Sequence, residues 1–264
     1  MRIAVCMKHV VDTTEVRIDK NSGELILSGI PTKISDYDKN AIEEAVRIKE
    51  KNGGEITLIT VGPRDAFKTV KEALAMGCDV GYIILGDMLY DIAKFLDPIT
   101  IAEILSKAIQ KLGSFDLIFC GEVSEDGYNA QVGPALAELL GLPHAAYASS
   151  LEVEDNLIKV ESMYEDTIET FEIQLPAVVT VNRLINTPRL PTLIQVMKVP
   201  KNKIIYWDLD ELDLSVEEIK NSKIYTSLKE YHEMKVERKS IIFEGEAEDA
   251  VSKLIKRLKE EGLL

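Results

Sequence analysis

Positive charge is scarce in this sequence: 31 Lys and Arg stand against 45 Asp and Glu, a formal net charge of -14 over 264 residues. Nucleic acid and anionic membrane surfaces both demand a cationic face, so neither is expected as the main partner. Cysteine and histidine are as sparse, three of each. Cys6, Cys78 and Cys120 are isolated, odd in number and set inside apolar runs with no CxxC pair. They read as reduced, buried thiols, and a structural metal site has little support. No apolar run approaches the roughly 18 residues that suggest a membrane span. The opening Met1-Arg-Ile-Ala-Val-Cys-Met-Lys8 is strand-like and has neither the apolar region nor the cleavage site of a secretory signal. A cytoplasmic protein without direct membrane insertion is expected. There is no P-loop lysine and no GxGxxG. His9, His144 and His232 are dispersed, and Ser149-Ser150 lacks a nucleophile-elbow context, so self-contained catalysis has weak support.

What the chain does have is a 46% hydrophobic composition, enough for a full core. Strand-like and helix-period runs alternate through its first half: Ile3–Met7 then Asp38–Lys51, Ile56–Val61 then Arg64–Met76, Gly81–Leu85 then Pro98–Leu112, Leu117–Cys120 then Gln131–Leu140. This predicts an α/β fold, a mostly parallel sheet with helices on both faces. Val16–Asp19 and Glu24–Leu27 around Asn21-Ser22-Gly23 predict a hairpin. Ser150–Val153, Leu157–Tyr164 and Thr167–Ile173 predict an antiparallel edge segment. Ala177–Val181 reads as a strand buried on both faces. After it, Asn182 to Lys203 mixes exposed-looking apolar residues with Pro188, Pro191 and Pro200, which suits an arm better than a core helix. Beyond Lys201 the chain is charged and irregular until a helix at roughly Ala247–Glu260, with Val251, Leu254, Ile255 and Leu258 on one face.

Ligands of open parallel sheets bind beyond the carboxyl ends of the strands, where strand order reverses. Three such ends carry glycine: Val61-Gly62-Pro63, Leu85-Gly86-Asp87 and Cys120-Gly121. The richest is Gly121 to Gly133, a loop opening directly into a helix. With Asn129 as a possible N-cap, its first-turn N–H groups suit a phosphate. Glu122, Glu125 and Asp126 oppose an anion unless they point away or bind ribose hydroxyls.

Val5-Cys-Met-Lys-His-Val-Val-Asp-Thr13, Asn40-Ala-Ile-Glu-Glu-Ala-Val-Arg47, Ala73-Leu-Ala-Met-Gly77, Asp126-Gly-Tyr-Asn-Ala-Gln-Val-Gly-Pro134 and above all Leu175–Arg189 together resemble the beta subunit of electron-transfer flavoproteins. The resemblance covers nearly the whole chain. It implies a heterodimer with a FAD-carrying alpha subunit, an electron carrier rather than a stand-alone enzyme. Electrons would pass from dehydrogenases or NADH to a quinone oxidoreductase or other acceptor. Residues 1–185 would be the nucleotide-binding domain, and 186–264 a partner-docking loop, an extended arm and a C-terminal helix that wrap the partner subunit.

The same resemblance implies AMP or, in electron-bifurcating members, a second FAD in this subunit. Ala130–Pro134 and Asp12-Thr13 favour FAD, whereas Val11, Ser35, Asn129, Ser162 and Thr167 depart from that branch. Matching segments place the nucleotide among Cys6, Ser35, Asp36, Tyr37, Asp38, Val61, Gly121, Glu122, Asp126, Gly127, Tyr128, Asn129, Ala130, Gln131, Val132 and Gly133. Main chain at Cys6 and Val61 would meet the adenine region, and Asn129 to Val132 the phosphate. Thr13 would lie near the alpha-subunit flavin. Leu193 would dock onto dehydrogenases or, alternatively, pack against the alpha subunit. The competing reading of the residues is a stand-alone adenine-nucleotide sensor or ATP-using enzyme.

Overall fold

The computed structural model describes residues 1–19, 24–85, 97–221, 226 and 240–264. In chain order its strands are β1 (Arg2–Cys6), β2 (His9–Val11), β3 (Arg17–Ile18), β4 (Leu25–Ile26), β5 (Thr32–Ile34), β6 (Glu55–Gly62), β7 (Val80–Leu85), β8 (Leu117–Gly121), β9 (His144–Glu154), β10 (Leu157–Met163), β11 (Ile168–Gln174), β12 (Ala177–Val181) and β13 (Ile204–Trp207). The helices are α1 (Asp36–Asn52), α2 (Phe67–Met76), α3 (Pro98–Leu112), α4 (Val132–Leu140), α5 (Leu193–Lys198), α6 (Val216–Asn221) and α7 (Ala247–Glu260). Met1–Glu230 form one compact unit and Tyr231–Leu264 a second.

Nine strands make the main sheet, in the order β11-β10-β9-β12-β8-β1-β6-β7-β13. From β12 to β13 neighbours are parallel, and β9, β10 and β11 form the expected antiparallel edge. Alternation along β1 sets the layers. Ile3, Val5 and Met7 enter the core with α1 and α2 residues such as Ile42 and Val70. Ala4 and Cys6 enter the opposite core with Ile104 and Leu105 of α3 and Leu136 of α4. The chain runs from β1 outward through β6 and β7, then returns to place β8 on the other side of β1. Strand order therefore reverses between β1 and β8.

Local sequence explains the helix starts. The Asp97 carboxylate accepts the Ile99 N–H at 2.9 Å, and Pro98 occupies the first helical position of α3. α1 begins two residues before the expected Asp38, with Asp36 and Asp38 in its first turn, where the helix dipole favours acids. The early hairpin pairs Arg17 with Ile26 and Ile18 with Leu25; its turn at Asn21-Ser22-Gly23 lies outside the described residues, as does Gly86-Asp87.

All five residues of β12 are buried, as their apolar, β-branched run predicts. The segment after it is less free than the prolines suggest. Asn186 and Arg189 fasten it to α1, and Leu193–Lys198 forms a short helix whose Thr192 and Gln195 make a reciprocal capping box. The expectation of irregular chain past Lys201 also needs correction. Ile204–Trp207 joins the sheet beside β7, and Trp207 packs on Tyr82 with ring centroids 4.6 Å apart. Four residues among lysines carry too little periodicity to be read without their partner strand. In the second unit, α7 has Glu248 and Asp249 in its first turn and Arg257 and Lys259 in its last, with Val251, Leu254 and Ile255 exposed. Among the described residues no helix is long and apolar enough to cross a membrane.

Candidate functional site

The carboxyl ends of β1, β6 and β8 open into a cleft of about 130 Å³, at the point where strand order reverses. One water needs about 10–15 Å³ on that measure, so the cleft has room for a larger ligand. The strand ends contribute Cys6, Val61, Cys120 and Gly121, α3 contributes Pro98, Ile101 and Leu105, and the approach to α4 contributes Asn129 to Gly133.

Asp38, in the first turn of α1, ties the two sides of the strand-order reversal together. Its Oδ2 accepts the Lys8 N–H at 2.7 Å and its Oδ1 accepts the Gly121 N–H at 3.0 Å. Burial pushes its carboxyl up to about 7, although those two donors pull the other way. Gly121 is required for the approach, because a Cβ there would lie 2.5 Å from Asp38 Oδ1 and 2.8 Å from the Tyr37 Cβ.

The loop from Gly121 to Gln131 pairs two of its three carboxylates with lysines. Lys8 Nζ lies 2.8 Å from Asp126 Oδ1, and Lys33 Nζ lies 2.9 Å from Glu125 Oε2 and 3.3 Å from Asp36 Oδ1. Glu122 has its pKa raised by burial. Tyr128 and Ala130 adopt left-handed backbone, φ 51° and 54°. Such a conformation costs a non-glycine residue about 1–2 kcal/mol, and structural strain of this kind concentrates at ligand sites. Tyr128 is held by its N–H to the Ser124 carbonyl, 2.8 Å, and by an edge-on contact with Tyr37, hydroxyl to hydroxyl 3.2 Å.

The left-handed Ala130 followed by a right-handed Gln131 (φ -110°, ψ -24°) makes a backbone nest that leads into α4. It also moves the N-cap. Asn129 does not cap this helix; Gln131 does, and without a side-chain hydrogen bond. Pro134 has no N–H, and the Ala135 N–H reaches the Gln131 carbonyl at 3.1 Å. The first-turn donors left without a helical acceptor are those of Val132 and Gly133, both at the cleft. Gly133 packs so tightly on β12 that a Cβ would sit 2.1 Å from Thr180 Cγ2.

Of the residues singled out from sequence, Cys6, Asp38, Val61, Gly121, Glu122, Asn129, Ala130, Gln131, Val132 and Gly133 line this one cleft. Asp36, Tyr37, Asp126 and Tyr128 hold the loop beside it through the contacts above, and Gly127 lies in that loop. Ser35 is buried at the α1 N-cap with its hydroxyl unpaired. Thr13 sits in the turn closed by Glu15 N–H to Asp12 carbonyl, outside the cleft. Leu193 is also outside it, 75% exposed at the start of α5. Sequence reasoning missed Lys8, Lys33 and the α3 residues Pro98, Ile101 and Leu105. It also missed Arg183, whose guanidinium lies 5.8 Å from the Tyr37 ring centre.

Comparison with known proteins adds an independent line. Residues 23–212 match the model of the electron transfer flavoprotein domain. Among curated relatives, the electron transfer flavoprotein subunit beta of Thermoanaerobacterium thermosaccharolyticum is 38% identical over 259 residues, 98% of each chain. That of Clostridium acetobutylicum is 33% identical over 261 residues, 99% of each chain. The caffeyl-CoA reductase-Etf complex subunit CarD of Acetobacterium woodii is 36% identical over 218 residues, 82% of each chain.

Proposed function

The chain belongs to the electron transfer flavoprotein family as a beta subunit, and from that premise we propose that its cleft holds the ADP portion of FAD, with AMP as the alternative occupant. Membership makes it part of an electron-transferring flavoprotein and implies an alpha subunit as its partner. The observation that carries the nucleotide reading is the uncapped start of α4. Two free N–H donors, a left-handed nest and the helix dipole converge at Val132 and Gly133, which is the chemistry of phosphate capture. The residues fit a dinucleotide. Main chain at Cys6 and Val61 meets the adenine side, Glu122 is free to accept from ribose hydroxyls, and Lys8 and Lys33 neutralise the other acids of the loop.

A bound flavin supplies the redox chemistry; the chain supplies binding, orientation and electrostatics. Asp38 fixes the spacing of the two strand ends through the Lys8 and Gly121 amides, and Ile101 and Leu105 keep one side of the cleft apolar. FAD is preferred over AMP on the Ala130–Pro134 run, and the similarity to CarD, named as part of a reductase-Etf complex, is in keeping with a bifurcating type that oxidises NADH. Leu193 docks dehydrogenases, a quinone oxidoreductase or another acceptor takes the electrons, and the C-terminal arm and α7 wrap the alpha subunit. Leu193, outside the cleft, acts at the docking face, and Thr13, also outside it, lies near the alpha-subunit flavin. The test is mass spectrometry of small molecules released from the native heterodimer. Two FAD per heterodimer support the reading; one FAD with one AMP selects the alternative. ATP, or one FAD with no second adenine nucleotide, overturns both.

A further inference from the structure

α1 is fastened at several places along its length, and its tie to the segment after β12 lies away from the cleft. Its opening turn supplies Asp38. Farther along, Glu43 and Glu50 receive Arg189 from the segment that follows β12. Arg189 donates from Nε to Glu43 Oε2 at 2.8 Å and from Nη2 to Glu43 Oε1 at 3.2 Å. It donates from Nη1 and Nη2 to the two Glu50 oxygens at 2.6 and 3.0 Å, and its backbone N–H reaches Glu43 Oε2 at 3.0 Å. Asn186 reinforces the seam: its Nδ2 donates to the Asn40 carbonyl at 3.0 Å and to Glu44 Oε2 at 2.9 Å, while Asn40 Nδ2 donates back to the Asn186 carbonyl at 2.8 Å. The Glu43 side chain is 4% exposed, so this fork is sheltered from water on its inner side.

Ordering an arginine and the chain around it costs conformational entropy, normally recovered by burying apolar area. Here the chain just beyond buries little. Leu190, Leu193, Ile194 and Met197 are 81, 75, 65 and 68% exposed. Lys71 Nζ, 3.5 Å from the Met197 carbonyl, adds a weak tie, and Val199 then packs back on the core. The fork therefore fixes a segment that faces outward, and fixes it to the helix whose other end clamps the cleft. Asp38 and Glu50 are about 18 Å apart along the helix axis at 1.5 Å per residue.

We propose that Arg189 is a positioning residue for electron exchange, holding the apolar segment Leu190–Met197 at a set offset from the nucleotide cleft through α1. This rests on the reading of Leu193 as the docking residue. Misplacement by about 1 Å is enough to cost roughly 100-fold in a positioned reaction, so a loosened segment weakens productive docking without emptying the cleft.

The experiment uses the full heterodimer, with a purified flavin-dependent dehydrogenase selected for reducing the wild type. Arg189→Ala is expected to raise the apparent KM for that dehydrogenase about tenfold, with unchanged nucleotide content and an unchanged rate of reduction by dithionite. Arg189→Lys, which keeps the charge and loses the fork, should fall between. Glu50→Gln removes half the fork at an exposed position and gives a smaller rise should Arg189→Ala fail to fold. If Leu193→Ala weakens reduction while Arg189→Ala and Glu50→Gln behave as wild type, the positioning role is wrong. If Leu193→Ala also behaves as wild type, the docking reading beneath it is wrong. Loss of nucleotide in Arg189→Ala would show a general structural role and overturn the proposal.

Discussion

Replacing Asp38 by Asn tests the clamp between the two strand ends through its dependence on pH. An unfolded Asp titrates near 3.8, and burial holds Asp38 at about 7. The difference corresponds to about 4 kcal/mol at ~1.4 kcal/mol per pH unit. Below 3.8 the group is neutral in both states and its folded form carries no ionisation cost. As pH rises toward about 7, only the unfolded chain ionises freely, so stability falls by ~1.4 kcal/mol per unit and then levels. Asn keeps the shape but cannot ionise, and its amide must present a donor to either the Lys8 or the Gly121 N–H. That mismatch costs about 1–3 kcal/mol at every pH. Urea unfolding of the full-length chain at about pH 5 and about pH 8 should therefore show the stability difference between wild type and Asp38→Asn moving in the variant's favour by about 3 kcal/mol. Curves that stay parallel within about 0.5 kcal/mol would refute the reasoning, because Asp38 would then titrate as an ordinary exposed carboxylate.

Gly133→Ala should displace the start of α4, since the new Cβ meets Thr180 Cγ2 at 2.1 Å; nucleotide retention on purification should fall at least about tenfold through lost positioning, and adding Thr180→Ser, which removes that methyl, should restore part of it. Gly121→Ala drives a Cβ into Asp38 and Tyr37 and should cost about 1–3 kcal/mol by denaturant unfolding, together with weaker nucleotide binding. Removing both Lys8 and Lys33 side chains by alanine substitution leaves Glu125 and Asp126 without their lysines beside the proposed phosphate site; titration calorimetry with the nucleotide should give an affinity loss that shrinks as salt is raised, because screening weakens exposed repulsion.

The fold was legible where one strand or helix carried its own pattern. The alternation of Ile3–Met7 and the apolar run Ala177–Val181 each fix an element without a neighbour, and the stripe Val132, Leu136 and Leu139 fixes the helix, although Leu139 is 42% exposed rather than packed on the sheet. β13 was not legible, because Ile204–Trp207 becomes a strand only by pairing with β7. The cleft followed the same division. Val61 and Gly121 could be placed at strand ends from the apolar runs alone, whereas Cys6 entered the site only through the family resemblance. Lys8 with Asp126 and Lys33 with Glu125 are joined across the fold, and no local signal announces such a pair. Asn129 looked like a cap because its side chain suits one; the left-handed Ala130 that shifts the helix start to Val132 leaves no trace in composition. The Arg189 seam was hidden for the same reason, since Glu43 and Glu50 on α1 read as solvated helix acids until the segment after β12 is laid on them.

The central claim is that the uncapped start of α4 takes the phosphates of an adenine nucleotide at the reversal between β1 and β8. It is tested most directly by a crystal structure of the native heterodimer with its retained nucleotide. The account predicts phosphate density within hydrogen-bond distance of the Val132 and Gly133 amides, with the adenine toward Cys6 and Val61. A nucleotide bound to this subunit elsewhere, or phosphates turned away from α4, would contradict it.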